Sequence, residues 1–127
     1  MTEFASATEQ VIDTYCAAWN EHDPAQRRKL LSEVWADGAT YTDPTFHAVG
    51  IDELLTHIDA VLTRRPTDAI LRTSAIDTHH NLARFAWRAA PTDGTPPTDG
   101  LDLVEFTPDG RIQRIIGFFG PLEPTIK

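Results

Sequence analysis

The stretch Trp35-Ala36-Asp37-Gly38-Ala39-Thr40-Tyr41-Thr42-Asp43-Pro44 carries a carboxylate into the gap between a strand and a proline. Ala39 to Thr42 reads as a short strand, and Pro44 stops it. Proline fixes its own φ and pushes the preceding residue towards extended geometry, so Asp43 belongs at a defined strand end. A carboxylate at the rim of an apolar cavity can serve as a general base. Asp-Pro is also ordinary turn chemistry, and on these residues alone the turn is the simpler reading. What the strand faces must come from the rest of the chain.

Upstream, residues 4 to 21 read as an amphipathic helix, with Phe4, Ala7, Val11, Ile12, Tyr15, Cys16 and Trp19 on one stripe. Asp23-Pro24 supplies an N-cap and a proline at the first helical position of a second helix. That helix runs to about Trp35, with Leu30, Leu31, Val34 and Trp35 inward, and Asp37-Gly38 breaks it. Gly50 precedes a third helix over roughly 51 to 63, whose apolar face is Leu54, Leu55, Ile58, Val61 and Leu62.

Downstream, the period changes from helical to alternating. Residues 69 to 78, 82 to 90, 101 to 107 and 111 to 119 read as four strands. His79-His80-Asn81 and Pro108-Asp109-Gly110 are tight turns, and residues 91 to 100 form a longer hairpin. The class is therefore α+β: a cone-shaped barrel of three N-terminal helices packed on a curved, mostly antiparallel sheet, with a pocket at the mouth. Arg84 and Arg88 mark the outer face of the second long strand, so Phe85 and Trp87 point inward. Val104 and Phe106 share a face with Asp102, and Ile115, Gly117 and Phe119 share one opposite Ile112, Ile116 and Phe118. If Phe106 is inward, Asp102 is a carboxylate in an apolar cavity, which must be protonated or hydrogen-bonded.

The 127 residues suit one domain spanning residues 1–127, large enough for a core without staples. The net charge of −8 argues against nucleic acid as a partner. No apolar run reaches membrane-spanning length and the N-terminus has no signal-peptide pattern, so no membrane association is expected. The single Cys16 fits a reducing cytoplasm. No two histidines have metal-ligand spacing with a carboxylate, no phosphate loop is present and nothing pairs Cys16 with a base, so neither a metal nor a cofactor is expected.

At this point the chain resembles the nuclear-transport-factor-like superfamily, of the SnoaL-like polyketide cyclase and ketosteroid isomerase type. The residues that carry the resemblance are the segment from Tyr15 to Asp23, that from Trp35 to Pro44, Gly50 at the third helix, and that from Leu101 to Gln113. The resemblance covers nearly the whole chain and implies a cystatin-like fold. It also implies three catalytic positions: Asp43 as general base, Tyr15 as the oxyanion-hole tyrosine, and Asp102 as a carboxylic acid kept neutral to donate the second oxyanion hydrogen bond. Removing a proton beside a carbonyl needs a base near that carbon and donors aimed at the oxygen that becomes negative. The chain departs from the isomerases where tyrosines support the oxyanion tyrosine: Trp35 and Ile58 stand there.

Three readings follow. The first is an enzyme using carboxylate acid/base chemistry on a small apolar carbonyl compound, by isomerisation or aldol-type cyclisation. Its pocket would draw on Trp19, Trp35, Phe46, His57, Ile58, Phe85, Trp87, Val104, Ile115 and Phe119. The second is a non-catalytic binder or dimerisation module, which follows if Asp43 and Asp102 share no cavity or side chains fill it. The third, a hydrolase or dehydratase, needs further Asp, Arg or Asn pairs in the pocket. Leu82, Ile112, Ile116 and Phe118 on the outer sheet face predict a homodimer through that face.

Overall fold

The computed structural model describes residues 3–126, with side chains from residue 7 onward. Helix α1 spans Glu3–Asn20, α2 Pro24–Val34 and α3 Ile51–Arg64. The strands are β1 (Trp35–Asp43), β2 (Phe46–Val49), β3 (Ala69–Arg72), β4 (Asp77–His79), β5 (Leu82–Ala90), β6 (Thr98–Phe106) and β7 (Ile112–Phe119). They form one sheet in the order β2-β1-β7-β6-β5-β3, with β4 also on β5. Only β1–β7 among these pairs is parallel, so three helices pack on a mixed, mostly antiparallel sheet, as the α+β reading requires. No described helix is long and apolar enough to cross a membrane.

Local chemistry explains the helix ends. The Asp23 carboxylate accepts from the Ala25 N–H at 3.0 Å, and Pro24 needs no partner at the first helical position. At α3 the cap is Gly50, whose φ of 84° is the left-handed region that side chains disfavour. Asp52 and Glu53 then meet the positive end of the α3 dipole, and Arg64 the negative end. The α1 stripe buries Ile12, Tyr15, Cys16 and Trp19, but Ala7 is exposed and Thr8 is buried in its place. Phe4 lies outside the residues whose side chains are described.

Three expectations need correction. Trp35 and Asp37-Gly38 do not end a helix with a break. Trp35 is already extended at φ −92° and ψ 121°, and Gly38, at φ 72°, sits in a bulge where the β1–β7 register shifts between Trp35 and Thr40. Residues 69 to 78 are not one strand. They split into β3 and β4, and between them the Ser74 hydroxyl accepts the Ala86 N–H at 2.8 Å, replacing a ladder bond. Ile112 is not on the outer face but fully buried. A register shift carries the pairing from Glu105↔Arg114 to Phe106↔Ile112, so the extra residue Gln113 turns Ile112 inward.

The core lies between the helices and the concave sheet face, centred on Ile12, Leu31, Leu54, Ile58, Phe85 and Ile115. Phe106 and Asp102 are both buried, so the third long strand presents its carboxylate inward.

Candidate active site

The strand ladder brings the two inward carboxylates together. Asp102 on β6 pairs with Gly117 on β7, and Thr42 on β1 pairs with Ile116, which sets Asp43 level with Gly117 on the other side. A Cβ on Gly117 would lie 2.9 Å from Asp102 Oδ1 and 3.6 Å from the Asp43 Cβ. A glycine is needed between them because any larger residue would fill the gap.

Asp43 ends β1 and also organises the β1–β2 turn. Its Oδ1 accepts the Thr45 N–H at 2.7 Å, the Thr45 hydroxyl at 2.7 Å and the Phe46 N–H at 3.0 Å. Its Oδ2 accepts the Tyr41 hydroxyl at 2.6 Å and stands 3.5 Å from His57 Nε2. The turn role and the inward placement of Asp43 therefore coexist. Burial opposes the charge of Asp43, but His57 and the donors Tyr41 and Thr45 outweigh it and hold the carboxyl well below the usual carboxylate range. The His57 contact is long for a hydrogen bond and its Nε2 has no partner, so the short bonds from Tyr41 and Thr45 carry most of this effect.

Asp102 has the opposite environment. Burial, with the nearby Asp43 charge, pushes it up to about 7, against the lowering effect of a hydrogen bond from Trp87. The Trp87 indole N–H donates to Asp102 Oδ1 at 3.0 Å.

An inner cavity of about 50 Å³ is lined by Tyr15, Trp19, Tyr41, Phe85, Trp87 and Asp102, with Cys16 and Ile70 beside them. Burial drives the Tyr15 hydroxyl well above its ordinary pKa, so it stays a neutral donor, and pushes the Cys16 thiol up to about 12, which keeps it from acting as a nucleophile. Tyr41 is likewise held neutral, by burial and by its bond to Asp43.

Of the other expected pocket residues, Trp19, Phe85 and Trp87 line this cavity. Trp35 stacks on Tyr15 at 6.1 Å between ring centres, and Ile58, Val104 and Ile115 are core residues away from the cavity wall. Phe46 stacks face to face on His57 at 4.5 Å, and Trp19 meets the same ring edge-on. Phe119 packs edge-on against Trp87 and is half exposed. Asp43 and His57 are not cavity-lining residues. Tyr41 connects them to it, lining the cavity while donating to Asp43. Sequence reasoning missed Tyr41, although it stands two residues before Asp43 and so shares its face.

A larger depression of about 440 Å³ lies on the outer sheet face, over Leu82, Leu103 and Ile116. Its charged rim is already paired, Arg84 with Asp77 and Arg114 with Glu105. The groups whose pKa burial raises, Tyr15, Cys16, Tyr41 and Asp102, all line the smaller inner cavity instead. Among the described residues, no group of three His, Cys, Asp or Glu is placed to hold a metal.

A helix-lined cone with inward carboxylates defines a class of small-molecule pocket proteins. Within that class the chain belongs to the SnoaL-like family: the family's SnoaL-like domain matches residues 12–115. A candidate isomerase of that family from Agrobacterium tumefaciens is 32% identical, with a TM-score of 0.84 over 91% of this chain and 99% of its own. A candidate SnoaL-like polyketide cyclase from a Jannaschia species shares the fold at 11% identity, with a TM-score of 0.77 over 94% of this chain and 89% of its own. A candidate ketosteroid isomerase from Kribbella flavida does so at 14% identity, with a TM-score of 0.70 over 96% of this chain and 84% of its own. No curated protein matches by sequence.

Proposed function

We propose that this chain is an acid/base enzyme acting on a small apolar carbonyl compound, by isomerisation or aldol-type cyclisation. The observation that carries the reading is the opposed state of two carboxylates flanking Gly117: Asp43 is held anionic, and Asp102 is held near neutrality. Environments that push paired groups apart assign base and acid roles. Asp43 is the base that takes the proton beside the carbonyl. Asp102 and Tyr15 donate to the oxygen as it becomes negative. Tyr41 stands between Asp43 and the cavity, so its hydroxyl must swing aside, or pass on the bond, for a substrate to reach the base.

Size constrains the substrate. The cavity of about 50 Å³ is well below the roughly 300–1,000 Å³ of drug-sized ligand pockets. A cavity of this size takes a compact carbonyl group, and anything larger requires side chains of its wall to move.

Asp43 does not line the cavity that Asp102 lines, which is the condition under which the binder reading was expected. This, with the saturated hydrogen bonding of Asp43 behind Tyr41, favours a second reading, a non-catalytic binder of small apolar ligands. Turnover of a panel of β,γ-unsaturated ketones and aldol substrates distinguishes the two. On the enzyme reading Asp43→Asn and Asp102→Asn each lower kcat/KM by roughly 10²–10⁴-fold in folded protein. Wild-type turnover unaffected by both substitutions sinks it. Binding of the ketones without wild-type turnover establishes the binder.

We further propose that two copies pair through the outer sheet face, where Leu71, Leu82, Leu103 and Phe118 are exposed. Cys16, buried and free, suits the reducing cytoplasm we take as its setting.

A further inference from the structure

Trp87 and Asp102 lie diagonally across β5 and β6, and each faces a glycine. The register sets Trp87 opposite Gly100 and Asp102 opposite Gly117. A Cβ on Gly100 would fall 2.1 Å from Trp87 Cζ2 and 2.7 Å from the Phe118 carbonyl oxygen. One on Gly117 would fall 2.9 Å from Asp102 Oδ1. Neither glycine has a positive φ, so both are there for space and not for backbone conformation. Their bare Cα atoms form a seat, with the indole lying over one and the carboxyl over the other.

The seated indole donates its Nε1–H to Asp102 Oδ1 at 3.0 Å. An indole nitrogen is a donor only. Oδ1 must therefore accept in either protonation state of Asp102. When the carboxyl is neutral, its proton is left to Oδ2.

We propose that Trp87 is a positioning residue for Asp102: seated on Gly100, it holds Oδ1 as an acceptor and so fixes the acid proton on Oδ2, the oxygen that donates to the substrate carbonyl. The catalytic consequence rests on the acid/base reading above, but the arrangement itself is testable without substrate. The other titratable groups around Asp102 are Asp43 and Tyr41 from β1 and Tyr15 and Cys16 from α1. The Asp43 charge disfavours an Asp102 anion, and Tyr15, Tyr41 and Cys16 are neutral there. The Trp87 bond favours the anion, so removing it must raise the titration midpoint of Asp102.

The experiment follows the Asp102 carboxyl carbon by NMR in aspartate-labelled protein, from about pH 4 to about pH 9, with Asp102→Asn to identify the resonance. Three variants remove the bond in different ways. Trp87→Phe deletes the N–H, replacement of Trp87 by benzothienylalanine deletes it while keeping the bicyclic shape, and Gly100→Ala unseats the ring. Each is expected to raise the midpoint by about one unit, a tenfold change in proton affinity. In the wild type, the Trp87 indole N–H resonance is expected to move with the same midpoint as Asp102.

A folded Trp87→Phe protein with an unchanged midpoint overturns the proposal. If that variant does not fold, a wild-type indole resonance indifferent to the Asp102 titration overturns it. Where a ketone substrate is turned over, Trp87→Phe lowers kcat about tenfold with KM within about twofold, the pattern of a lost transition-state interaction. A moved midpoint in a protein with no turnover keeps the positioning role and rejects the enzyme reading.

Discussion

Asp102 and Asp43 show how one residue type takes two protonation states on either side of one glycine. Asp102 is raised from 3.8 to about 7, so between about pH 4 and 7 the native state holds a proton that the unfolded chain has released. Stability therefore falls as pH rises through that window. Asp43 has the reverse sign: its depressed pKa contributes stability that is present above about pH 4 and lost as acid protonates it. Asp102→Asn keeps an acceptor for Trp87 and removes the buried charge. It is expected to stabilise the fold at pH 8 by on the order of 2–4 kcal/mol and to change little at pH 4, as read by urea denaturation. An equal effect at both pH values contradicts the assignment. Asp43 was legible in the sequence because proline and alternation fix its place. Its partners were not, since Thr45 and Phe46 reach it through a turn and His57 through a helix that packs beside it.

Bulges decide what the strands present. A strict two-residue period over the run from Ile112 to Phe119 puts Ile112 on the same face as Ile116, although the adjacent pair Gln113-Arg114 already interrupts the apolar–polar alternation. The bulge at Gln113 reverses this, leaving Ile112 fully buried and Ile116 half-buried on the outer face. Ile112→Ala should therefore cost about 2–5 kcal/mol, and Ile116→Ala less than about 1.5 kcal/mol, in chemical denaturation of the two variants. Similar losses would place both side chains in one environment. The same logic explains β1. Asp37-Gly38 has the composition of a helix stop, and only the parallel pairing with β7 turns it into a bulge inside a nine-residue strand. Strand β2 was missed because Phe46–Val49 is four residues long and its pattern is too short to read alone.

A sheet with helices on one side leaves its other side bare. Here that side exposes Leu71, Leu82, Leu103 and Phe118, of which Leu82 and Leu103 line the depression of about 440 Å³. These exposed apolar side chains are the surface through which the proposed dimer would pair. Analytical ultracentrifugation is expected to find a dimer, tightening as salt screens the −8 charge of each copy, and Phe118→Glu should dissociate it. Monomer at every concentration and salt level refutes the pairing. Periodicity, caps and turn residues were enough to specify three helices and the long strands, because those signals are local and repeat, whereas alternation left the face of Asp102 conditional on that of Phe106. The cavity was not open to that reading. Its volume, the Tyr41–Asp43 bond and the two-glycine seat of Trp87 and Asp102 arise where β1, β7, β6 and β5 meet in register. Register across four strands depends on bulges and long-range pairing, which no single stretch of chain encodes. Asp43 thus remains a strand-end carboxylate by sequence, and it is the fold that sets it behind Tyr41 and across Gly117 from Asp102.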